Sequence, residues 1–193
     1  MPQTLITDQD VMDHGNLDND SLRPRITSLL ASVFAAAEEY CGRKFSSDTF
    51  TEYYDATGQN NILVENPPMT GLTSLTDDAQ YSARSIDTSA NVLWIDQYKR
   101  KGEVRLYKTE GGFSGGLAGV KVIYQGGWTA TTMPADLKAA IMDEVLYRLD
   151  GRQVGVANQA ADGASVNYSE RNGFAAQVCE VLDGYRPWWR EFG

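Results

Sequence analysis

The side chains that most often carry chemistry are few here and badly spaced for it. His14 is the only histidine, and the two cysteines, Cys41 and Cys179, lie far apart in a chain of 193 residues. A zinc site needs several His or Cys ligands at short spacing, and a Ser-His-Asp or Cys-His nucleophile needs a histidine base beside it. Neither pattern is present, and two cysteines exclude a disulfide framework. The run Gly111-Gly112-Phe113-Ser114-Gly115-Gly116 lacks the Lys-Ser/Thr that a phosphate-binding loop uses, and it falls between two strand-like stretches. It reads as a flexible hairpin loop. Asp8, Asp10, Asp13, Asp18 and Asp20 lack the alternation and twelfth-position Glu of a calcium-binding EF-hand, so they read as a solvated acidic face. No catalytic residue, metal or cofactor is expected, and the chain is not expected to be an enzyme.

A different chemistry is concentrated near the C-terminus. Tyr185, Arg186, Trp188, Trp189, Arg190 and Phe192 fall within nine residues. Trp, Tyr and Arg carry most of the binding energy at protein interfaces, and an apolar aromatic segment must be covered by something. Two readings stand: the segment folds back to close the chain's own core, or it docks on another protein.

The elements that must position these groups follow from periodicity. Between Leu22 and Gly42 the apolar residues Ile26, Leu29, Leu30, Val33, Phe34, Ala37, Tyr40 and Cys41 recur at steps that place them on one helical stripe. Asp20 or Ser21 can cap this helix, and Gly42 stops it. Thr7 to His14 predicts a short acidic helix capped by Thr7 and stopped by Gly15. Pro134 opens another, with Leu137, Ala140, Ile141, Val145 and Leu149 inward, Met142 and Leu146 widening the stripe, and Gly151 at its end. A last helix is predicted over 172–183, with 152–169 before it as a mobile loop. Both cysteines fall in helical stretches and read as small core residues.

From Thr49 to Trp128 the texture is that of strands and turns. Strands are predicted over 49–55, 61–65, 72–76, 81–86, 92–95, 103–107 and 120–124, separated by Gly, Pro and Asp turns. The fold class is therefore α+β: a core of amphipathic helices in a bundle, with an inserted all-β domain, a small sandwich or barrel. The divisions are 1–48 (helical), 49–128 (β), 129–184 (helical) and 185–193 (aromatic docking tail).

The chain carries 17 Lys+Arg against 26 Asp+Glu, a formal charge of −9. Gripping nucleic-acid phosphates needs clustered Lys and Arg, so a general nucleic-acid binder is excluded, although DNA passing by without being held is not. No apolar run reaches the roughly 18 residues of a membrane span. The acidic start is the opposite of a signal peptide's, so an unexported protein of a reducing compartment is expected.

Several of these stretches, taken in order, resemble a known family. They are Ala36-Ala37-Glu38-Glu39-Tyr40-Cys41-Gly42-Arg43-Lys44-Phe45, then Thr51-Glu52-Tyr53-Tyr54-Asp55, then Asn66-Pro67-Pro68-Met69 leading into Leu72-Thr73-Ser74-Leu75. Val120 to Trp128, containing Tyr124-Gln125-Gly126-Gly127-Trp128, precedes Met133-Pro134-Ala135-Asp136-Leu137-Lys138-Ala139-Ala140-Ile141, and Val181-Leu182-Asp183-Gly184-Tyr185-Arg186 closes the series. Over roughly residues 20–190 the chain resembles the head-tail connector, or adaptor, proteins of tailed bacteriophages and prophages. Its Trp188-Trp189 departs from the charged ending typical of them. The resemblance implies a structural virion protein, made in the host cytoplasm and placed at the head-tail connector. It would form a ring below the portal protein, a dodecamer in the family, extending the DNA channel and giving neck and tail proteins a platform. The C-terminal segment would grip the portal, and Asp8, Asp10, Asp13, Asp18 and Asp20 are candidate channel-lining acids. Two other readings are carried: another neck or tail component, such as a head-completion or tail-terminator protein, and a carbohydrate-binding β module using Tyr53, Tyr54, Trp94 and Trp128.

Overall fold

The computed structural model describes residues 5–55, 58–78, 83–106, 111–114, 116–150, 158–161, 164–167, 170–171 and 173–186. Among them the chain forms five α-helices and antiparallel sheets. The chain divides into two compact units, one within Lys44–Thr129 and the other within Thr4–Arg43 and Ala130–Gly193.

The second unit holds four of the helices. Helix α1 (Asp8–His14) starts at Thr7, whose hydroxyl accepts from the Asp10 amide while the Asp10 carboxylate accepts from the Thr7 amide. This reciprocal cap satisfies donors that a helix N-terminus leaves open. A 3-10 turn at Asp20–Leu22 leads into α2 (Arg23–Cys41), which ends at Gly42 in a left-handed conformation. Its buried residues, Ile26, Leu30, Val33, Ala37 and Cys41, are the inward part of the expected stripe. Helix α4 (Ala135–Leu149) buries Leu137, Ala140, Ile141, Met142, Val145 and Leu149, so it is covered on more than one side. Helix α5 (Ala176–Asp183) buries Val178, Cys179 and Leu182. Contacts run between α2 and α4, between α4 and α5, and from α1 to both α2 and α4.

The first unit centres on one four-stranded antiparallel sheet of β1 (Asp48–Tyr54), β3 (Met69–Asp77), β4 (Arg84–Ile86) and β6 (Val120–Gly126), in the order β1-β6-β3-β4. A two-stranded ladder of β2 (Asn61–Leu63) and β5 (Glu103–Arg105) adds Ile62 and Val104 to the same core. One face of the large sheet supplies Met69, Leu75, Val120, Val122 and Tyr124 to that core. Helix α3 (Asp96–Lys101) lies in this unit as well.

Five expectations need correction. The described strands close no barrel: β1 is a sheet edge, and β2 and β5 pair only with each other. Residues 92–95 are not a strand. Only Val92 bridges, to Leu106, and Ile95 precedes α3, whose polar sequence Asp96-Gln97-Tyr98-Lys99-Arg100-Lys101 buries no residue and so carries no amphipathic stripe. The stretch 152–169 contains a hairpin of β7 (Asn158–Ala161) and β8 (Ala164–Asn167). The last helix starts four residues late, because Phe174 and Ala175 form a strand (β10) with Glu170 and Arg171 (β9). Pro134 is the cap of α4 rather than its first residue, and Asp150 is its C-terminal cap. Residues 81–82 of the expected fourth strand and Gly151 lie outside the described residues.

The glycine-rich run is pinned at its described centre, not loose. Phe113 is fully buried in the β core, its amide donates to Gln59 O at 2.8 Å, and its carbonyl accepts from Gly58 N at 2.9 Å. A Cβ at Gly112 would stand 2.0 Å from Gly58 O, so only glycine fits this crossing of backbones.

Candidate functional site

The C-terminal end of α5 is tied to its own unit by side-chain contacts. Tyr40 Oη donates to Asp183 Oδ1 at 2.6 Å, Tyr185 Oη donates to Asp136 Oδ1 at 2.6 Å, and Cys41 Sγ donates to Leu182 O at 3.5 Å. The Arg186 guanidinium lies over the Tyr40 ring at 5.5 Å and 3.8 Å from Asp183 Oδ1. Burial, and then the bond to Asp136, pushes the Tyr185 phenol well above its ordinary range. Of the six residues singled out near the C-terminus, Tyr185 and Arg186 thus brace the chain's last described turn. Trp188, Trp189, Arg190 and Phe192 lie outside the described residues.

The five N-terminal acids do not form one uniform face. Asp8 Oδ2 accepts from Arg23 Nη1 at 2.7 Å, which holds its carboxyl below the usual range, and Asp20 Oδ1 accepts from Arg23 Nε at 2.8 Å. Asp10 sits in the cap of α1 and pairs with Lys138 Nζ at 3.0 Å. Burial raises the Asp10 carboxyl, but the Thr7 amide and hydroxyl and Lys138 outweigh it, and the net direction is down. Asp13 accepts from Gln9 Nε2 at 2.6 Å, and both Asp13 and Asp18 are exposed. His14 Nε2 lies 2.8 Å from Asp143 Oδ1, so this histidine has a structural partner. Among the described residues no group of three or more His, Cys, Asp or Glu is placed to hold a metal ion.

Sequence reasoning passed over three buried or hub carboxylates. Glu52 accepts from Tyr124 Oη at 2.7 Å, Asn66 Nδ2 at 2.9 Å, the Glu65 amide at 3.2 Å and the Tyr54 hydroxyl. Asn66 in turn accepts from the Lys44 amide at 2.7 Å, and its own amide donates to Tyr124 Oη at 3.0 Å. Burial first, and then the bond to Glu52, raises the phenols of Tyr54 and Tyr124. Glu52, Asn66 and Tyr124 come from three of the quoted stretches, so those motifs meet in one network that ties β1 and β6 to the 64–66 segment. The Gly126-Gly127 pair beside it is also required: at Gly127, with φ +86°, a Cβ would stand 2.5 Å from Ser46 O. The other two carboxylates, Asp77 and Glu144, are fully buried and internally bonded. A shared Tyr-Glu-Asn pattern across distant strands is legible only once the strands are paired.

Of the aromatics of the β unit, Trp128 is buried against Phe45, with ring centroids 5.8 Å apart, and Tyr54 packs on the core. Trp94 is half-buried with Lys99 Nζ 5.1 Å from its ring, leaving Tyr53 as an exposed aromatic on the sheet. Of these four, Tyr53 alone is exposed.

The fold has known counterparts. It is similar to a chain in the neck of an empty GTA particle computed with C6 symmetry, with a TM-score of 0.62, 16% identity, and 96% of this chain and 91% of that chain covered. It is also similar to a chain in the neck of a native GTA particle computed with C12 symmetry, with a TM-score of 0.55 and 16% identity over 96% and 93% of the two chains. A chain of the virion of a native gene transfer agent particle matches with a TM-score of 0.55 and 18% identity over 94% and 89%. No curated protein matches the chain. The family model for head completion proteins matches residues 4–188, a span that takes in both units and every motif just described. On that match, the chain belongs to the head completion protein family.

Proposed function

We propose that this protein is a structural component of a virion neck, a connector between head and tail. The observation that carries the reading is the family match over residues 4–188. In this reading copies of the chain form a ring below the portal protein, the DNA passes through the ring, and a further neck or tail protein docks on its far side. A twelve-fold ring is the expected stoichiometry. The role is architectural and not enzymatic. The chain is organised as a helical core, 1–48 and 129–184, interrupted by the β insert 49–128, with 185–193 as the docking tail.

Two structural details shape the reading. Tyr185 and Arg186 are engaged within the helical unit, so the portal-binding part of the tail is assigned to 187–193, with Trp188, Trp189, Arg190 and Phe192 as its anchors and the two braced residues fixing where it leaves α5. Asp8 and Asp20 share Arg23, and Asp10 pairs with Lys138, so of the five acids Asp13 and Asp18, which pair with neither base, are the stronger candidates for a DNA-repelling lining. Acid facing passing phosphates lets DNA slide, because no counterions are exchanged for protein contacts.

The test is removal of 187–193 followed by capture on purified portal rings. Loss of capture with unchanged circular dichroism is expected. Full capture by a folded, truncated chain would overturn the tail anchor. The family's name supports a second, compatible reading, that the protein completes the filled head. Particles assembled without it are then expected to release their DNA.

A further inference from the structure

The large sheet has two edges, and they are built differently. In the order β1-β6-β3-β4 the outer strands are β1 and β4. Strand β4 is three residues long, and a very short edge offers a partner little to pair with. Strand β1 is seven residues long, and its register with β6 runs without a shift from Asp48–Gly126 to Tyr54–Val120. It has neither the proline, the lysine nor the bulge with which edge strands are blunted. Its inward acid, Glu52, is taken up by Tyr124 and Asn66.

Two bonds on β6 fix which backbone groups of β1 are open. Gln125 O accepts from Thr70 Oγ1 at 3.3 Å, and Gly127 N donates to Pro68 O at 3.1 Å, both on the β3 side. The C=O and N–H of one trans peptide point opposite ways, so Gly126 N and Gly126 O both face β1, where Asp48 stands opposite. Alternation along the strand then turns Phe50, Glu52 and Tyr54 toward β6 and Thr49, Thr51 and Tyr53 outward. The Thr49 amide donates to Asp48 Oδ1 at 2.7 Å. Among the described residues the amides of Thr51 and Tyr53, and the carbonyls of all three, meet no partner. The side chains of these three residues are exposed.

Such a row of donors and acceptors is completed by a further strand. Charge narrows whose strand it is. Asp48 and Asp55 stand exposed at the two ends of β1, and β1 itself carries no base. Acids at both ends favour a segment with Lys or Arg and repel nucleic acid. A second copy of this chain offers no such segment among its described residues. Its run of bases, Lys99-Arg100-Lys101, is wound into α3, and Arg84 on the short β4 is bonded to Asp77.

We propose that the open edge of β1 takes up an extended, basic segment of another protein as an added strand. The inference rests on the neck reading above, in which that protein is a neighbour in the particle, and says how it is held.

The experiment follows amide exchange by mass spectrometry over 49–54 in the free full chain and in purified necks, and irradiates necks carrying p-benzoylphenylalanine in place of Tyr53. Fast exchange at Thr51 and Tyr53 in the free chain, slowed about tenfold or more in the neck, is expected. Adducts are expected to a Lys- or Arg-bearing segment of a different protein. Slow exchange already in the free chain would show that the chain covers its own edge and would overturn the proposal, as would unchanged exchange in the neck. Adducts to a second copy would overturn the occupant. Asp48→Asn with Asp55→Asn keeps the acceptors for the Thr49 and Ala118 amides. The pair is expected to cut the adduct yield about tenfold, and an unchanged yield would overturn the role given to the acids. Necks that lack the chain altogether would overturn the neck reading, and the inference with it.

Discussion

Arg148 donates from Nε to Glu144 Oε1 at 2.8 Å, one turn apart on α4, although the Glu144 side chain is fully buried. The second oxygen of Glu144 accepts from the Ala175 amide at 3.0 Å, and Arg148 Nη2 donates to Gly173 O at 3.0 Å while the guanidinium covers the Phe174 ring at 5.6 Å. One ion pair therefore fixes the 173–175 segment ahead of α5. Removing one partner of a buried pair leaves an uncompensated charge, so Arg148→Ala is expected to cost about 3–5 kcal/mol. The apolar double variant Glu144→Leu with Arg148→Met is expected to cost far less than the single one. Urea midpoints followed by circular dichroism check both.

The Tyr185 hydroxyl donates to Asp136. Tyr185→Phe is expected to lower stability by about 1 kcal/mol, the net worth of one hydrogen bond. Portal capture is expected to be unchanged by this variant and lost on removal of 187–193. The contrast separates a residue that braces the exit of the tail from the tail that binds.

Cys41 and Cys179 are buried thiols outside any disulfide. Burial, ahead of the nearby charges, pushes the Cys41 thiol up to about 12. The thiolate is the reactive form, so native Cys41 is expected to be inert to Ellman's reagent at pH 8 and to react once the chain is unfolded in guanidinium. A fast native reaction would place Cys41 outside the core.

Asp77 accepts from the Ser114 hydroxyl at 2.6 Å, the Ser114 amide at 3.1 Å and Arg84 at 3.1 Å. Burial raises its carboxyl, but the Ser114 bonds and Arg84 outweigh it, and the net direction is below the ordinary 3.8. A carboxyl depressed in the folded state adds stability that is present above 3.8 and is lost as pH falls through the lower folded value. Ser114→Ala is expected to cost about 1–3 kcal/mol at pH 7 and to flatten the acid loss of stability below pH 4. A thermal melt series from pH 2.5 to pH 7 reads both effects.

Periodicity made the helices legible because their buried residues repeat at three and four: Ile26, Leu30, Val33, Ala37 and Cys41 on α2 are the residues the pattern points to. The strands of the large sheet were legible for the corresponding reason, alternation in Val120, Val122 and Tyr124. Helix α3 was not, since it buries nothing and follows the strand-like Val92-Leu93-Trp94-Ile95. The β7–β8 hairpin is made of Asn, Gln, Ala, Ser and Val, which announce neither a strand nor a turn. The buried acids Asp77, Glu144 and the hub Glu52 were invisible for a third reason. A single carboxylate in a sequence reads as surface, and only the partners that long-range pairing brings to it make burial tolerable. The same limit hid the bracing role of Tyr185 and Arg186, whose partners Asp136 and Tyr40 are distant in the chain.

The helical unit takes its residues from both sides of Lys44–Thr129, and α2 packs on α4. On the ribosome this imposes an order of events. At about 5–20 residues per second, α2 emerges several seconds before any of α4 exists, with Ile26, Leu30 and Val33 lacking their partner stripe. All strands of the large sheet are by then complete once Gly126 is made, so the β unit can finish while the first helices wait. A nascent chain stalled near Thr129 is therefore expected to bind chaperones through α2, and the helical unit is sealed only after α4 and α5 have been made.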